Sequence, residues 1–189
     1  MKLVIVEGTD RTGKDTLIEG LAKFFTDQDI ALMIKHWGFP IGRTNEEKTA
    51  YQKENFRSEF KRFNSLRDSD DMAVIWNRAH LGEMVYGPLY RQSDPKCWII
   101  ALEEEFRFDK DPEIFLIYLK ADPEFLVSQD DGKSFSNELV NKQMELRMFR
   151  EAFESSKIMN KLMIKVNEKD EYIEPERILD ETIRFITKS

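Results

Sequence analysis

A loop with glycines at positions 8 and 13 constrains this chain more than any other stretch. An apolar run at residues 3–6 precedes the loop and is typical of a buried strand, and apolar residues recur at helical spacing after Lys14. In this order of strand, loop and helix, the pattern G-x-x-x-x-G-K marks a phosphate-binding loop. The glycines let backbone amides turn toward an anion, and the helix directs its positive end at the same point. The pattern therefore predicts a nucleoside triphosphate site.

The residues after the second glycine are the candidates to bind the phosphates and Mg²⁺. Lys14 supplies a positive charge that can reach phosphate oxygens, whereas the next position, usually Ser or Thr in this pattern, is Asp15. A carboxylate is a good oxygen ligand for Mg²⁺, so Asp15 is predicted to bind the metal. In the alternative interpretation Thr16 binds it, and Asp15 is only a charge in the first helical turn. The predicted contacts to ATP are made by Gly8, Thr12, Gly13, Lys14, Asp15 and Thr16.

The composition is that of a globular protein, and we expect one domain over residues 1–189. Apolar residues make up 41% and charged residues 34% of the chain, and no apolar run approaches the ~20 residues of a membrane span. The first strand directly follows Met1 and Lys2, so we expect no signal peptide and a cytoplasmic protein. The single cysteine, Cys97, is expected in the core. The net charge of −7 argues against a nucleic-acid polymer as partner.

Five apolar stretches alternate with helical patterns along the chain. They lie at residues 3–6, 31–35, 72–76, 114–119 and 162–166. Parallel strands need crossover helices, so this order predicts a three-layer α/β sandwich with a five-stranded parallel sheet. Ligands of such sheets bind beyond the carboxyl ends of the strands. We therefore expect the glycine loop, the loop at residues 39–43, Asn77-Arg78 and the polar loop at 130–134 to meet at one edge.

The helix after the second strand is expected to begin with a capping box and to carry an aromatic stripe. Thr44 followed by Glu47 has the spacing of the box. Phe56, Phe60 and Phe63 recur at helical spacing, which is typical of core residues. One of the first two, Phe56 or Phe60, is the candidate to stack on a nucleotide base.

The glycine loop resembles the start of thymidylate kinases. In that family an acidic residue and an arginine also stand inside the loop before G-K, as Asp10 and Arg11 do here. Asn77-Arg78 at the end of the third strand is similar to the family's Asp-Arg motif. The resemblance implies the fold of P-loop nucleoside monophosphate kinases. It also implies a homodimer that uses ATP and Mg²⁺ to phosphorylate a deoxynucleoside monophosphate, with dTMP to dTDP as the first expectation.

Later segments follow the same family order. Phe39-Pro40 with Arg43 resembles the family's Phe-Pro loop with its arginine, and residues 130–137 fall where the family has its lid. That stretch contains one basic residue, Lys133. The chain therefore resembles those members whose catalytic arginine lies in the glycine loop.

The resemblance implies roles for residues on both substrates. Asp10 accepts a hydrogen bond from the sugar 3′-hydroxyl, and Arg11 reaches over the transferred phosphoryl group. Arg43 and Arg78 hold the acceptor phosphate, and Tyr86 lies under the deoxyribose, where it excludes a 2′-hydroxyl. The implied catalytic residues are Arg11, Lys14 and Arg78. Together with Phe60, the predicted contacts to the acceptor are Asp10, Phe39, Arg43, Arg78 and Tyr86.

Departures from the family pattern and one carboxylate leave a second function open. Asn77 stands where the family has an aspartate, and Asp15 stands where it has Ser or Thr. Glu7 ends the first strand and is a candidate general base, which the hydroxyl of a nucleoside acceptor would need. A monophosphate acceptor is already ionised and needs none, and Glu7 would then be structural or organise the metal. The alternative function is therefore a deoxynucleoside kinase.

Overall fold

The computed structural model describes residues 1–38, 40–129, 132 and 138–188. Phe39 and most of the expected lid at 130–137, including Lys133, lie outside these residues, so the predictions for them stay predictions. Five parallel strands form the central sheet in the order β2-β3-β1-β4-β5. They are β1 Lys2–Glu7, β2 Ala31–His36, β3 Met72–Asn77, β4 Ile114–Lys120 and β5 Asn160–Lys165.

Helices connect the strands, as parallel pairing requires. They are α1 Lys14–Thr26, α2 Asn45–Leu66, α3 His80–Arg91, α4 Lys96–Glu105, α5 Pro123–Ser128, α6 Leu139–Ser155 and α7 Pro175–Thr187. After β5 comes a short antiparallel hairpin, β6 Asn167–Glu168 with β7 Glu171–Tyr172, which the sequence patterns did not predict. Two-residue strands are too short to show an alternation of apolar and polar side chains.

Each face of the sheet is covered by helices. Alternate residues of β1 point to opposite faces, with Leu3 and Ile5 in one hydrophobic core and Val4 and Val6 in the other. The first core takes its side chains from α2, α3, α4 and α6, and the second from α1, α5 and α7. The predicted three-layer α/β sandwich with a five-stranded parallel sheet is confirmed.

The carboxyl ends of β1, β2 and β3 lie at the same level of the sheet. His36 pairs with Asn77 across β2 and β3, and Asn77 pairs with Val6 across β3 and β1. The backbone amide of Arg78 continues this ladder by donating to the carbonyl oxygen of Val6 at 2.9 Å. The glycine loop and Asn77-Arg78 are therefore brought together at one edge, as expected. Phe39 and most of the loop at 130–134 lie outside the described residues, so their place at this edge stays a prediction.

Local features outside this edge include one confirmed prediction and one correction. The capping box is present, because Thr44 Oγ1 accepts from the amide of Glu47 at 3.2 Å and Glu47 Oε2 accepts from the amide of Thr44 at 3.3 Å. Cys97 is exposed near the start of α4, so its predicted place in the core is wrong.

Among the residues that the structure describes, no helix combines the length and the apolar character that a membrane span requires.

Candidate active site

A cavity of about 800 Å³ lies beyond the carboxyl ends of β1, β2 and β3. Its wall is formed by the glycine loop and α1, by residues of α2 and α3, and by the hairpin and the start of α7. The volume is within the range of sites that enclose small molecules. The predicted residues that line it are Asp10, Arg11, Thr12, Gly13, Lys14, Asp15, Thr16, Arg78 and Tyr86.

The glycine loop has the backbone that close approach to an anion requires. Gly8 has φ 150° and lies so near the carbonyl oxygen of Leu119 that a Cβ would collide with it, although Gly8 itself is not part of the cavity wall. Gly13 has φ 75°, in the left-handed region, and stands at the N-cap of α1 without a side-chain cap. The first-turn amides of α1 are therefore left to a ligand, and an anion fits them best.

Lys14 is buried in the cavity wall with 6% of its surface exposed. Its Nζ donates to the carbonyl oxygen of Thr9 at 2.5 Å, which holds the amine inside the loop. Burial, with a smaller contribution from the positive charge of Arg78, lowers the pKa of Lys14 from 10.5 to about 7. An anion in the cavity would reverse this effect, because it favours the charged amine.

Arg78 forms an ion pair with Asp10 across the cavity wall. Burial alone would raise the pKa of Asp10, but the guanidinium of Arg78 outweighs it and lowers that pKa overall. Arg78 (φ 62°) and Arg11 (φ 69°) both have left-handed backbones, which few residues other than glycine adopt. Both predicted catalytic arginines line the cavity.

Asn77 and Asp15 are in direct contact, with Asn77 Nδ2 donating to Asp15 Oδ1 at 2.7 Å. This bond joins the end of β3 to the first turn of α1. Within the described part of the chain, no group of three or more His, Cys, Asp or Glu side chains is placed to hold a metal ion. Mg²⁺ is commonly held by one or two carboxylates together with substrate phosphates and water, and Asp15, which is exposed at the start of α1, could supply such a carboxylate.

Glu7 is a fully enclosed carboxylate in the same wall. Its Oε1 accepts from the amide of Gly82 at 3.2 Å, whereas its Oε2 has no hydrogen-bond partner among the described residues. Burial raises the pKa of Glu7, although the charges of His80, Arg78 and Lys14 and the amide of Gly82 act in the opposite direction. The geometry suits either a proton acceptor or a structural anchor for α3.

The positions of Phe56 and Phe60 decide which of them can reach the cavity. Phe60 is completely buried and stacks on Phe108 with ring centroids 4.4 Å apart and an interplanar angle of 8°, so the prediction that it contacts a base is wrong. Phe56, the other candidate, lines the cavity and packs against Trp37 at 4.4 Å. The two phenylalanines are four residues apart, and helical spacing alone does not decide which one turns toward the cavity.

Tyr86 is half-buried in the wall and packs against two further rings. Its ring lies nearly parallel to that of Tyr90, with centroids 6.1 Å apart, and meets the ring of Phe149 edge-on at 5.7 Å. Burial raises the pKa of Tyr86 well above 10.0, so its hydroxyl stays protonated at neutral pH. The ring is therefore a fixed, neutral part of the cavity wall.

Arg43 is not brought to the cavity. Its side chain is exposed, it does not line the wall, and its backbone amide donates to Glu47 Oε2 at 2.6 Å as part of the α2 cap. The prediction that Arg43 holds the acceptor phosphate therefore has no support in the geometry.

The sequence patterns missed three polar residues of the wall: Gln52 on α2, and Glu83 and Arg91 on α3. Each has 9% or less of its surface exposed. One signal was available, because Glu83 and Tyr86 are three residues apart and so lie on the same side of α3. Charged residues on a helix are usually solvated, however, and this spacing was not read as a buried polar surface.

The sheet order, the glycine loop and the cavity at the carboxyl edge together define the fold of P-loop nucleotide kinases. Two solved structures share this fold over 98% of the chain, each with a TM-score of 0.68. One is the YorR protein of Bacillus subtilis in complex with phosphorylated GDP, with 19% sequence identity and 95% of its own length covered. The other is the thymidylate kinase of Candida albicans, with 13% identity and 90% of its length covered. No protein-family model and no curated protein sequence matches the chain.

Proposed function

We propose that this protein is a nucleoside monophosphate kinase that transfers the γ-phosphoryl group of ATP to a deoxynucleoside monophosphate, with dTMP to dTDP as the first candidate reaction. The observation that carries the proposal is the meeting of Lys14 and the Arg78–Asp10 pair in one cavity at the glycine loop. In this proposal Lys14 binds the phosphates of ATP, and Arg78 binds the phosphate of a second substrate placed end to end with the first.

On the donor side, the first-turn amides of α1 and the amine of Lys14 face the phosphates of ATP. Asp15, or Thr16 beside it, is the position for Mg²⁺, which neutralises charge on the donor phosphates when bound. Arg11 lies in the loop between Asp10 and Thr12 and lines the same cavity. In this proposal it stabilises the negative charge on the transferred group.

On the acceptor side, Arg78 draws the monophosphate toward the donor. Its guanidinium has five N–H donors, so it can keep its contact with Asp10 and still offer donors to a phosphate. An oxygen of that phosphate forms a bond to the γ-phosphorus while the bond from the γ-phosphorus to ADP breaks. The acceptor oxygen is already ionised, so this step needs no general base.

Tyr86 gives the proposed preference for a deoxyribose. Its ring is fixed between Tyr90 and Phe149, so a 2′-hydroxyl directed at it would meet carbon atoms in place of a hydrogen-bond partner. The names of the two similar structures refer to phosphorylated GDP and to thymidylate kinase, which agrees with a phosphorylated nucleotide as substrate. The homodimer and the cytoplasmic location are further parts of this proposal.

A deoxynucleoside kinase is the second candidate, because of one observation. Glu7 lines the cavity, has a raised pKa and leaves Oε2 without a hydrogen-bond partner in the described structure. These are properties of a general base that could take the proton from a 5′-hydroxyl. In that reaction, the hydroxyl oxygen forms a bond to the γ-phosphorus, its proton passes to the carboxylate, and the bond from the γ-phosphorus to ADP breaks so that ADP leaves.

One experiment separates the two candidates. Labelled ATP is incubated with each of the four deoxynucleoside monophosphates and with thymidine, and the products are scored for label. Labelled diphosphate supports the monophosphate kinase, and labelled thymidine monophosphate supports the nucleoside kinase. Absence of label in every acceptor would overturn both.

A further inference from the structure

The short hairpin after β5 is in direct contact with the glycine loop. Tyr172 of β7 donates its hydroxyl to the backbone carbonyl oxygen of Arg11 at 2.8 Å, across 161 residues of sequence. Tyr172 and its neighbour Ile173 line the cavity together with Arg11. The function proposed above gives Arg11 a role in phosphoryl transfer and gives the hairpin none.

The bond acts on the part of Arg11 that sets the direction of its side chain. Arg11 has φ 69°, in the left-handed region that few residues other than glycine adopt. The peptide group is planar, so a bond to its carbonyl oxygen orients the whole group between Arg11 and Thr12 and restricts ψ of Arg11. The bond uses a backbone oxygen and none of the guanidinium donors. Tyr172 therefore acts on Arg11 through the backbone.

The hairpin is anchored at its base, which allows it to hold Tyr172 in place. Asn167 is fully buried, accepts from the amide of Asp122 at 3.0 Å and donates to Asp122 Oδ2 at 3.1 Å. It also donates to the carbonyl oxygen of Lys169 at 2.7 Å. The amide of Ile173 donates to the carbonyl oxygen of Val166 at 2.9 Å. These bonds tie the hairpin to the segment between β4 and α5.

The ring of Tyr172 is supported as well as its hydroxyl. It meets the ring of Phe125 on α5 edge-on, with centroids 4.7 Å apart and an interplanar angle of 81°, and Phe125 is buried. Burial raises the pKa of Tyr172 from 10.0, although the charge of Arg11 acts in the opposite direction. The hydroxyl therefore keeps its proton at neutral pH and can donate to the loop.

We propose that Tyr172 is a positioning residue for Arg11, and that the hairpin supports turnover by this contact. A catalytic group must be held close to its productive geometry, and a displacement of about 1 Å can cost about 10²-fold in rate. The hydroxyl of Tyr172 holds the backbone of Arg11 in the conformation from which the guanidinium reaches the transferred group. The inference rests on the proposed function, since it needs Arg11 to act on that group.

Tyr172→Phe tests the proposal, because it removes the hydroxyl and keeps the ring that contacts Phe125. Loss of one neutral hydrogen bond predicts that kcat falls by about three- to tenfold. The KM for ATP should change by less than about twofold, because the phosphate contacts of the loop and of Lys14 remain. Tyr118→Phe is the matched control, since Tyr118 also donates to a backbone carbonyl, that of Leu146 at 3.4 Å, and does not line the cavity.

The control should have the kcat of the parent protein. An unchanged kcat in Tyr172→Phe would overturn the proposal. A loss that falls on ATP affinity and leaves kcat intact would also overturn it, because Tyr172 would then bind the donor. Tyr172 is 44% exposed and its ring is retained, so the variant should fold.

A double variant tests whether Tyr172 acts through the Arg11 side chain. In Arg11→Ala the hydroxyl can still bind the backbone carbonyl, but there is no guanidinium to position. Adding Tyr172→Phe to Arg11→Ala should therefore change kcat by less than about twofold. The same loss of kcat in both backgrounds would mean that the hydroxyl does not act through Arg11, and would overturn the positioning role.

Amide hydrogen exchange gives a readout that needs no turnover. Exchange in residues 8–14 should be about three- to tenfold faster in Tyr172→Phe and unchanged in Tyr118→Phe. If the parent protein phosphorylates an acceptor and Tyr172→Phe matches its kcat, the proposed function stands and the positioning role fails. If the parent protein phosphorylates no acceptor, the proposed function fails, while exchange still decides whether Tyr172 holds the loop. Unchanged exchange in Tyr172→Phe would overturn that contact.

Discussion

Asn77 Nδ2 donates to Asp15 Oδ1 at 2.7 Å, so two positions that depart from the thymidylate kinase pattern touch each other. An amide beside a carboxylate is a stable arrangement, because the amide donates and the carboxylate accepts. Two carboxylates at this distance would repel each other. The structure thus gives a physical reason for the two departures to occur together. It also holds Asp15 at the edge where the proposed Mg²⁺ would lie.

We predict that Asn77→Asp lowers kcat/KM by about tenfold or more, because it places a second negative charge against Asp15. The double variant Asn77→Asp/Asp15→Ser removes the repulsion and should regain most of the lost activity. The measurement is kcat/KM over a series of Mg²⁺ concentrations. Losses that simply add in the double variant would show that the two positions act independently.

Arg11 is predicted to act on turnover more than on binding. Arg11→Ala should lower kcat by about 10³-fold, in the range of an arginine that stabilises a transferred phosphoryl group, with little change in ATP affinity. Arg107→Ala is the matched control, because Arg107 has a similar backbone conformation (φ 60°) and is exposed outside the cavity wall. Its kcat should equal that of the parent protein. Parallel losses of kcat and ATP affinity in Arg11→Ala would contradict the catalytic role.

We predict that the protein's affinity for ADP depends on pH, because Lys14 titrates near neutral pH. Its pKa is about 7 in the free protein, and nucleotide phosphates raise it by favouring the ammonium form. The complex therefore binds more protons than the free protein, so affinity should fall as pH rises above about 7, by up to about tenfold per pH unit. Calorimetry from pH 6 to 9 measures it, and Lys14→Met corrects for the nucleotide's own titration. Identical pH profiles for the two proteins would exclude this role.

The buried carboxylate of Glu103 is predicted to stabilise the fold. It accepts from His80 Nε2 at 2.7 Å, from Ser156 Oγ at 2.8 Å and from the amide of Lys157 at 2.6 Å, and so ties α3, α4 and the end of α6 together. Glu103→Ala should lower the free energy of unfolding by roughly 3–5 kcal/mol, measured in urea. Glu104→Ala, an exposed neighbour, should change it by less than about 0.5 kcal/mol.

The same stabilisation should depend on pH. Burial would raise the pKa of Glu103, but the hydrogen bonds and the charge of His80 outweigh burial and lower it below 4.5. A lowered pKa means that the stabilisation is present above about 4.5 and is lost as pH falls through the folded-state value. The difference between Glu103→Ala and the parent protein should therefore shrink on acidification. A constant difference down to the acid transition would contradict this account.

The sheet and the phosphate loop were predictable because local patterns specify them. Apolar runs and a glycine spacing with a lysine are read directly from adjacent residues. The register that aligns His36, Asn77 and Val6 depends on packing between strands and was not predicted. The part of the cavity wall that α2 forms was not predictable in this way. Phe56 and Phe60 have the same local pattern, and only the packing of Phe60 on Phe108 distinguishes them.

The three polar residues of the wall that the sequence patterns missed show the same limit. Gln52 and Arg91 are separated by more than a helix in sequence, and each looks like an ordinary surface residue until α2 and α3 pack together. Arg43 is the opposite case. Its position in the family order predicted a contact with the acceptor phosphate, but its side chain is exposed on the surface. Contacts between distant segments decide both cases.

The central claim is that one cavity binds two nucleotides at once, with the phosphates of the donor next to the phosphate of the acceptor. A bisubstrate analogue, in which adenosine and thymidine are linked 5′ to 5′ by a polyphosphate chain, tests it by calorimetry. The account predicts one analogue per chain, bound at least about 100-fold more tightly than ATP, with most of this gain lost in Arg78→Ala. An analogue that binds no more tightly than ATP would contradict it.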